Sequence, residues 1–417
     1  MSEWKEIRLR QLIQEIGDGG TPSTTDQSNF GNGIPWVVVD DIKPEIWTTK
    51  DQLTEKGFKS CSAKKWPVNS IILSTGATIG EVGIAKVELC TKQGITGIIP
   101  NEFANNLFLR YWFEQNKIQL IRYAQGTTFK EIRPRTLGNL RIKVPRPFTP
   151  ESVLEQQKIA AILAKVDDAI QAVRNTIEKA ERLKKALMQN LLTGKLKADG
   201  TWRRDDEFYE DEKFGKVPVG WSIKKLGNVL SCCQYGLSKS MNESGKYPIF
   251  RMNNIENGRM VSSPMVYVDL GDDEFEKYKV NKGDILFNRT NSIDLVGKVG
   301  IFDLADDYVF ASYLIRLTIN ENNNPFYINY SLNYYDGQKK IKSKVTPSVS
   351  QANINASNLK SIRIPVPNEK PEQDKIVELI NKMENKIEMK NKKIQKLERL
   401  KKALMQNLLT GKVRVKV

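Results

Sequence analysis

Apolar positions along the chain follow two rhythms, and the pair of rhythms occurs twice. In residues 1–150 the apolar residues come in short runs, IPWVVV (34–39), SIILS (70–74), GITGIIP (94–100) and LRIKVP (140–145), separated by Gly, Pro and Asn. Short apolar runs bounded by turn formers predict strands, and the spacing from Asn106 to Tyr123 predicts a helix. Residues 217–367 repeat the style with YPIFRM, DILFN, VGKVGIF, YLIRLTI and IRIPVP. Beyond Pro150 and Pro371 the rhythm changes, and neither Gly nor Pro occurs again until Gly194 and Gly411. Apolar residues now recur in alternating steps of four and three: Ile159, Leu163, Val166, Ile170, Val173, Ile177 and Ala180, closing on Leu187 and Leu191. The second run gives Ile376, Ile380, Met383 and Ile387, then Ile394, Leu397, Leu404 and Leu408, and each run carries one lysine in line, Lys184 and Lys401. That spacing is a coiled-coil seam. It predicts helices over about 152–192 and 371–409, each roughly 60 Å long. The alternative is two amphipathic helices, each packed on its own domain.

The two halves are copies. ERLKKALMQNLLTGK stands at both 181–195 and 398–412, an offset of 217. The same offset aligns Glu155–Ile159 with Glu372–Ile376, Trp4 with Trp221, Leu9 with Leu226 and Gly19 with Gly236. Within the β-rich modules it drifts, as LGNLRIKVP (137–145) against LKSIRIPVP (359–367) shows. Retained apolar spacing with changing loops leaves a core intact while altering a surface. The predicted fold is therefore α+β: two mixed α/β globular modules separated by two long antiparallel coiled-coil helices, a tandem duplication about a pseudo-twofold axis. The expected segments are 1–150 (module one), 151–195 (helix one), 196–216 (a charged linker), 217–367 (module two) and 368–417 (helix two).

Charge then narrows the partner. Lys and Arg outnumber Asp and Glu by 65 to 49, a formal +16, and such an excess suits a polyanion whose counterions are released on binding. Anionic membrane is the competing reading, but no basic amphipathic anchor and no apolar run long enough to cross a bilayer is present. The charged opening MSEWKEIRLR has no apolar signal core, so a cytoplasmic protein is expected. Cys61, Cys90, Cys232 and Cys233 lack metal-ligand spacing, and no metal site is expected. The chain has no histidine, which removes the commonest general base.

Catalytic motifs are scarce. No Gly-Lys pair is followed by Ser or Thr, so there is no Walker A loop. Gly17-Asp18-Gly19-Gly20 reads as a loop. Asn324-Pro325-Phe326-Tyr327 is close to the Asn-Pro-Pro-aromatic motif of amino-group methyltransferases but reads as a turn, and Asp211-Glu212-Lys213 reads as a solvated charge run. No catalytic residue is nominated. What remains suits base reading, since Arg and Asn or Gln pair bidentately with guanine and adenine edges, and hydroxyls suit either. The DNA-contact candidates are Thr21, Ser23, Ser74, Thr75, Thr78, Thr127, Thr128, Lys130 and Arg133 in module one. In module two they are Lys239, Arg251, Asn253, Asn288, Arg289, Thr290, Asn291, Ser292, Ser348, Ser350, Gln351 and Asn353.

Taken together, the chain resembles the specificity subunit of a Type I restriction-modification enzyme over essentially its whole length. The resemblance rests on the two-module order, the Glu-Gln-x-Lys-Ile openings at 155–159 and 372–376, the Leu-Leu-Thr-Gly-Lys endings at 191–195 and 408–412, and the Pro218-x-Gly220-Trp221 entry with its degenerate counterpart at Trp4. It implies two target recognition domains, each reading half of a bipartite double-stranded DNA sequence. It implies helices that set the spacing and dock two methyltransferase subunits, with restriction subunits joining the full complex in defence against foreign DNA. S-adenosylmethionine, ATP and Mg would then belong to those partners and none to this chain. A stand-alone coiled-coil nucleic-acid-binding protein without enzymatic partners is the runner-up, and a self-contained methyltransferase or nuclease the third reading.

Overall fold

The computed structural model describes residues 4–125, 130–347 and 352–416. They fall into two compact units, one of residues 1–175 with 391–417 and the other of residues 176–390. The long helices span Pro150–Leu192 and Lys370–Leu408. Each therefore begins in one unit and ends as part of the other.

Both units are built on the same sheet. In the first, strands run in the order Ile13–Asp18, Ile95–Pro100, Ile71–Ser74, Val82–Ala85 and Glu45–Ile46. In the second the order is Leu230–Tyr235, Leu314–Ile319, Ile285–Asn288 and Val299–Ile301, continued by Arg259–Met260 and Ile255–Glu256. The first four strands correspond one to one and pair antiparallel in both units. A two-stranded ribbon closes each module, Trp4–Arg8 on Arg141–Pro145 and Trp221–Lys225 on Arg363–Pro367. In the second strand of each ribbon Ile142, Val144, Ile364 and Val366 are buried while Arg141 and Arg363 stay exposed, the period-two pattern of a half-buried edge.

The predicted helix at 106–123 is broken in two, Asn106–Gln115 and Lys117–Tyr123. At the break, Asn116 Nδ2 donates to Trp112 O at 2.8 Å, a side-chain bond that competes with the helical ladder. The segment 196–216 is folded rather than a plain charged linker. Phe208–Asp211 pairs with Gly215–Pro218, and Val217 is buried. Asp211 Oδ1 accepts from Lys213 N and Phe214 N, which makes Asp211-Glu212-Lys213 a hairpin turn.

The seam is buried by two kinds of neighbour. In the first unit Ile159 and Leu163 share a core with Leu9, Phe108, Leu137 and Ile142, with Met405 and Leu408 of the second helix, and with Leu409 just past its end. In the second unit Ile376 and Ile380 pack with Trp221, Tyr327, Leu359 and Ile364, and with Leu191 and Leu192 of the first helix. The module and the end of the opposite helix thus cover the same stripe. Each such Leu or Ile contributes about 2 kcal/mol by leaving water. Further along, Ile170 and Ile387 are buried, whereas Val166, Val173, Ile177, Met383, Ile394 and Leu397 are half-buried. Within the first unit Glu155 pairs with Arg414, Asp167 with Lys401 and Arg174 with Glu398, so the two helices run antiparallel there. In the second unit Lys184 pairs with Glu384.

The repeated motifs are structural fasteners. Glu155, 1% exposed at its side chain, takes a two-pronged grip from Arg414 at 2.7 and 2.6 Å. Its counterpart Glu372 accepts from Arg203 at 2.5 Å and from Trp221 Nε1 at 3.1 Å. Gln156 Oε1 accepts from Asn105 N, and Gln373 Oε1 from Asn324 N. These two asparagines cap the helices that begin just after them, Asn324 by accepting from Phe326 N and Tyr327 N. That cap accounts for Asn324-Pro325-Phe326-Tyr327, with Pro325 at the first helical position. Gly194 and Gly411 end the long helices at φ +70° and +73°. A Cβ at Gly411 would come within 2.5 Å of Trp4, and one at Gly194 within 2.2 Å of Pro218.

Candidate nucleic-acid interface

Each sheet ends in a tip where two loops meet. In the first unit, Thr75 N donates to Gly94 O at 2.8 Å and Ile132 N to Thr75 O at 2.9 Å. Single bridges Gly76–Glu131 and Gln125–Glu131 continue the contact. In the second unit, Arg289 N donates to Tyr313 O at 3.0 Å and Ile354 N to Arg289 O at 2.9 Å. The bridges have grown into a small sheet of Thr290–Asn291, Ala352–Asn353 and Thr346–Pro347. Thr75 and Arg289 therefore occupy one backbone node, with Ser74 matching Asn288 and Asp18 matching Tyr235.

The side chains at this node differ. Thr75 Oγ1 lies 2.9 Å from Thr96 Oγ1, and Thr96 Oγ1 donates to Asp18 Oδ1 at 2.6 Å, a chain of three side chains. In the second unit the guanidinium of Arg289 lies over the Tyr235 ring, 4.9 Å from its centroid. The loop after it is held open by Lys342, whose Nζ donates to Ile293 O, Asp294 O and Val296 O at 2.6, 3.0 and 2.8 Å. Burial lowers the Lys342 pKa, and the nearby Asp294 carboxylate opposes that shift.

The nominated residues divide by burial and by position. Ser74, Thr75 and Asn288 are buried: Ser74 Oγ binds Thr78 O and Glu81 N, and Asn288 Nδ2 binds Leu295 O, so these side chains shape the loops from inside. Arg289, Thr290, Asn291 and Asn353 come together on the small sheet, and Asn291 Nδ2 touches Met252 Sδ, bringing Arg251 and Asn253 to the same end. Thr78, Lys130 and Arg133 are exposed, Ser292 is exposed with its N–H bonded to Asn291 Oδ1, and Thr21 accepts from Gln93 N beside Gly94. Ser23 sits apart, bonded to Thr25, and Lys239 is ion-paired with Glu274. Thr127, Thr128, Ser348, Ser350 and Gln351 lie outside the described residues.

Sequence reading missed Asp18, Thr96, Tyr235 and Lys342. The offset of 217 that joins Trp4 to Trp221 also joins Asp18 to Tyr235, so that pair was within reach of the repeat. Lys342 carried no signal, because its three acceptors are backbone carbonyls.

One frame, used twice and ending in two chemically different tips, defines a two-headed recognition protein. The family model for the Type I restriction modification DNA specificity domain matches residues 1–182 and again 218–399, and the chain belongs to that family. It is 27% identical to the Type I restriction enzyme MjaIX specificity subunit of Methanocaldococcus jannaschii, over 99% of this chain and 94% of the relative. It is 23% identical to the EcoKI specificity subunit of Escherichia coli, over 84% of this chain and 75% of the relative. The crystal structure of the S subunit of the Type-I restriction-modification system from M. genitalium shares the fold, at a TM-score of 0.57 and 15% identity, covering 98% and 96% of the two chains. A structure described under complex assembly and conformational transition of the type I R-M system also matches at 0.57, with 18% identity and 98% coverage of each chain.

Proposed function

We propose that each unit reads one half of a bipartite double-stranded DNA target, and that the chain itself performs no chemistry. The observation that carries this is the contrast between tips and helix ends. Thr75 and Arg289 share a node yet present different chemistry, whereas the helix ends 181–195 and 398–412 are identical. Divergent tips suit two different half-sites, and identical ends suit two copies of one partner. That partner is a methyltransferase subunit, with restriction subunits added in the full cytoplasmic complex. S-adenosylmethionine, ATP and Mg belong to those subunits rather than to this chain. The loop candidates at the tips supply the base contacts, and the basic excess supplies a salt-dependent phosphate contribution.

Sequencing the methylated motif made by this chain with its methyltransferase tests the reading. Exchanging residues 217–367 for the corresponding module of a relative is expected to change one half-site and leave the other intact. A change in both halves together overturns the two-reader arrangement. The pure chain incubated with S-adenosylmethionine and DNA is expected to give no methyl transfer, and turnover would overturn the division of labour.

A further inference from the structure

The guanidinium of Arg289 is held in place and under-used. It lies over the Tyr235 ring, and Tyr235 is itself held because its hydroxyl accepts from Ala356 N at 2.9 Å. The two terminal nitrogens of Arg289 reach Ser312 O and Asn353 Oδ1 only at 3.4 Å each, the long end of the hydrogen-bond range. Its buried Nε has no acceptor among the described residues. No carboxylate forms an ion pair with it among the described residues, in contrast to Arg259, which binds Asp303 and Glu384. A planar cation held over a ring, with donors to spare at a loop tip, suits a rigid target that offers two adjacent acceptors. At the equivalent node of the first unit, Thr75 turns its hydroxyl inward to Thr96 and is buried, so it offers no such fork.

We propose that Arg289 reads a guanine in the half-site of the second unit, and that this node distinguishes the chemistry of the two half-sites. Guanine offers N7 and O6 as paired acceptors in the major groove, whereas adenine sets an amino donor where O6 would be, opposing a guanidinium. The inference rests on the two-reader function proposed above.

The test uses the assembled complex of this chain with its methyltransferase. The methylated motif is determined first, and exchange of residues 217–367 assigns the half read by the second unit. If no bipartite motif forms, the functional reading fails, which is a different result from failure of the guanine assignment. Given a motif, replacing each guanine of that half in turn by 7-deazaguanine, on either strand, removes the N7 acceptor from the DNA and leaves the protein untouched. Binding is expected to weaken about tenfold at one guanine. Arg289→Gln and Arg289→Lys are both expected to relax the motif at that same base pair and at no position of the other half, because lysine keeps the charge but not the fork. Absence of any G·C pair from that half-site, tolerance of 7-deazaguanine throughout, or an unchanged motif with Arg289→Lys would each overturn the proposal. If Arg289→Gln fails to assemble, the 7-deazaguanine scan on the wild-type complex still decides.

Discussion

At the scale of single residues, the seam lysines behave differently from what their line-up with apolar neighbours suggests. Lys401 Nζ lies 2.6 Å from Glu114 and 2.8 Å from Asp167, with only 14% of its side chain exposed. Lys184 meets Glu384 at 3.4 Å, and Glu384 keeps Arg259 and the Tyr330 hydroxyl as further partners. Replacement by leucine removes two close carboxylate contacts at 401 and only longer ones at 184, although Glu114 and Asp167 keep Arg110, and Asp167 the Tyr111 hydroxyl. Lys401→Leu is expected to cost about 2 kcal/mol, below the range for fully buried pairs because Glu114 and Asp167 are partly solvated, and Lys184→Leu less than about 1 kcal/mol. Denaturant titration of the two variants checks the order, and equal costs would contradict the pairing argument. Glycine gives a second comparison. Gly215→Ala, at φ +66° with nothing near its Cβ, should cost about 1 kcal/mol for the left-handed backbone alone. Gly411→Ala adds a collision with Trp4 and should cost at least about 3 kcal/mol. Thiol chemistry offers a third check: burial pushes Cys90 up to about 12, so at pH 8 it stays a protonated thiol, whereas Cys232 is exposed. Iodoacetamide should label Cys232 quickly and reach Cys90 only through opening of the first unit.

At the scale of elements, much was legible. Strands such as Ile71–Ser74 and Ile95–Pro100 lie on apolar runs bounded by turn residues, and the long helices lie on stretches free of Gly and Pro. Local pattern was enough because burial alone fixes which residues face inward. What local pattern omits is the identity of the covering partner. Nothing in the spacing of Ile159 and Leu163 tells that Met405 and Leu408 join the module in covering them. Likewise, Ser74 and Asn288 are hydroxyl and amide groups in loops, and only the sheet register reveals that they face inward. The Glu-Gln openings were recognisable as motifs, while their purpose emerged only with Arg414 and Arg203 in place. Arg414→Ala leaves the buried Glu155 carboxylate without its two-pronged partner and is expected to destabilise the first unit by about 3 kcal/mol. Adding Glu155→Leu should recover much of that loss. The same denaturation midpoint in single and double variants would rule out the pair as a fastener.

At the scale of the whole molecule, sequence order and structural order part company. Trp4 and Gly411 lie against one another in the first unit, so joining residue 417 to residue 1 through a short connector should be tolerated. Gly200 is the place to open such a chain, since it sits in a turn at φ +89° with nothing within 4 Å of a Cβ. A permuted chain opened at Gly200 is expected to melt within a few degrees of the parent. One opened at Tyr209, inside the paired hairpin, should lose several kcal/mol; equal melting of the two would show that the hairpin adds little. The division of units also has a consequence for synthesis on the ribosome. The first module emerges first, yet its core lacks Met405, Leu408 and Leu409 until residues 391–417 have been made. The second unit, residues 176–390, has all its parts earlier, so the half translated second is the half completed first. Meanwhile the early module waits beside 181–195, whose sequence is identical to the 398–412 segment it needs. The residues just past each copy differ: Arg414, two residues beyond Lys412, grips Glu155, and Arg203, eight residues beyond Lys195, grips Glu372. Two arginines at different distances are thus expected to direct each of the two identical ends of the nascent chain to its own place.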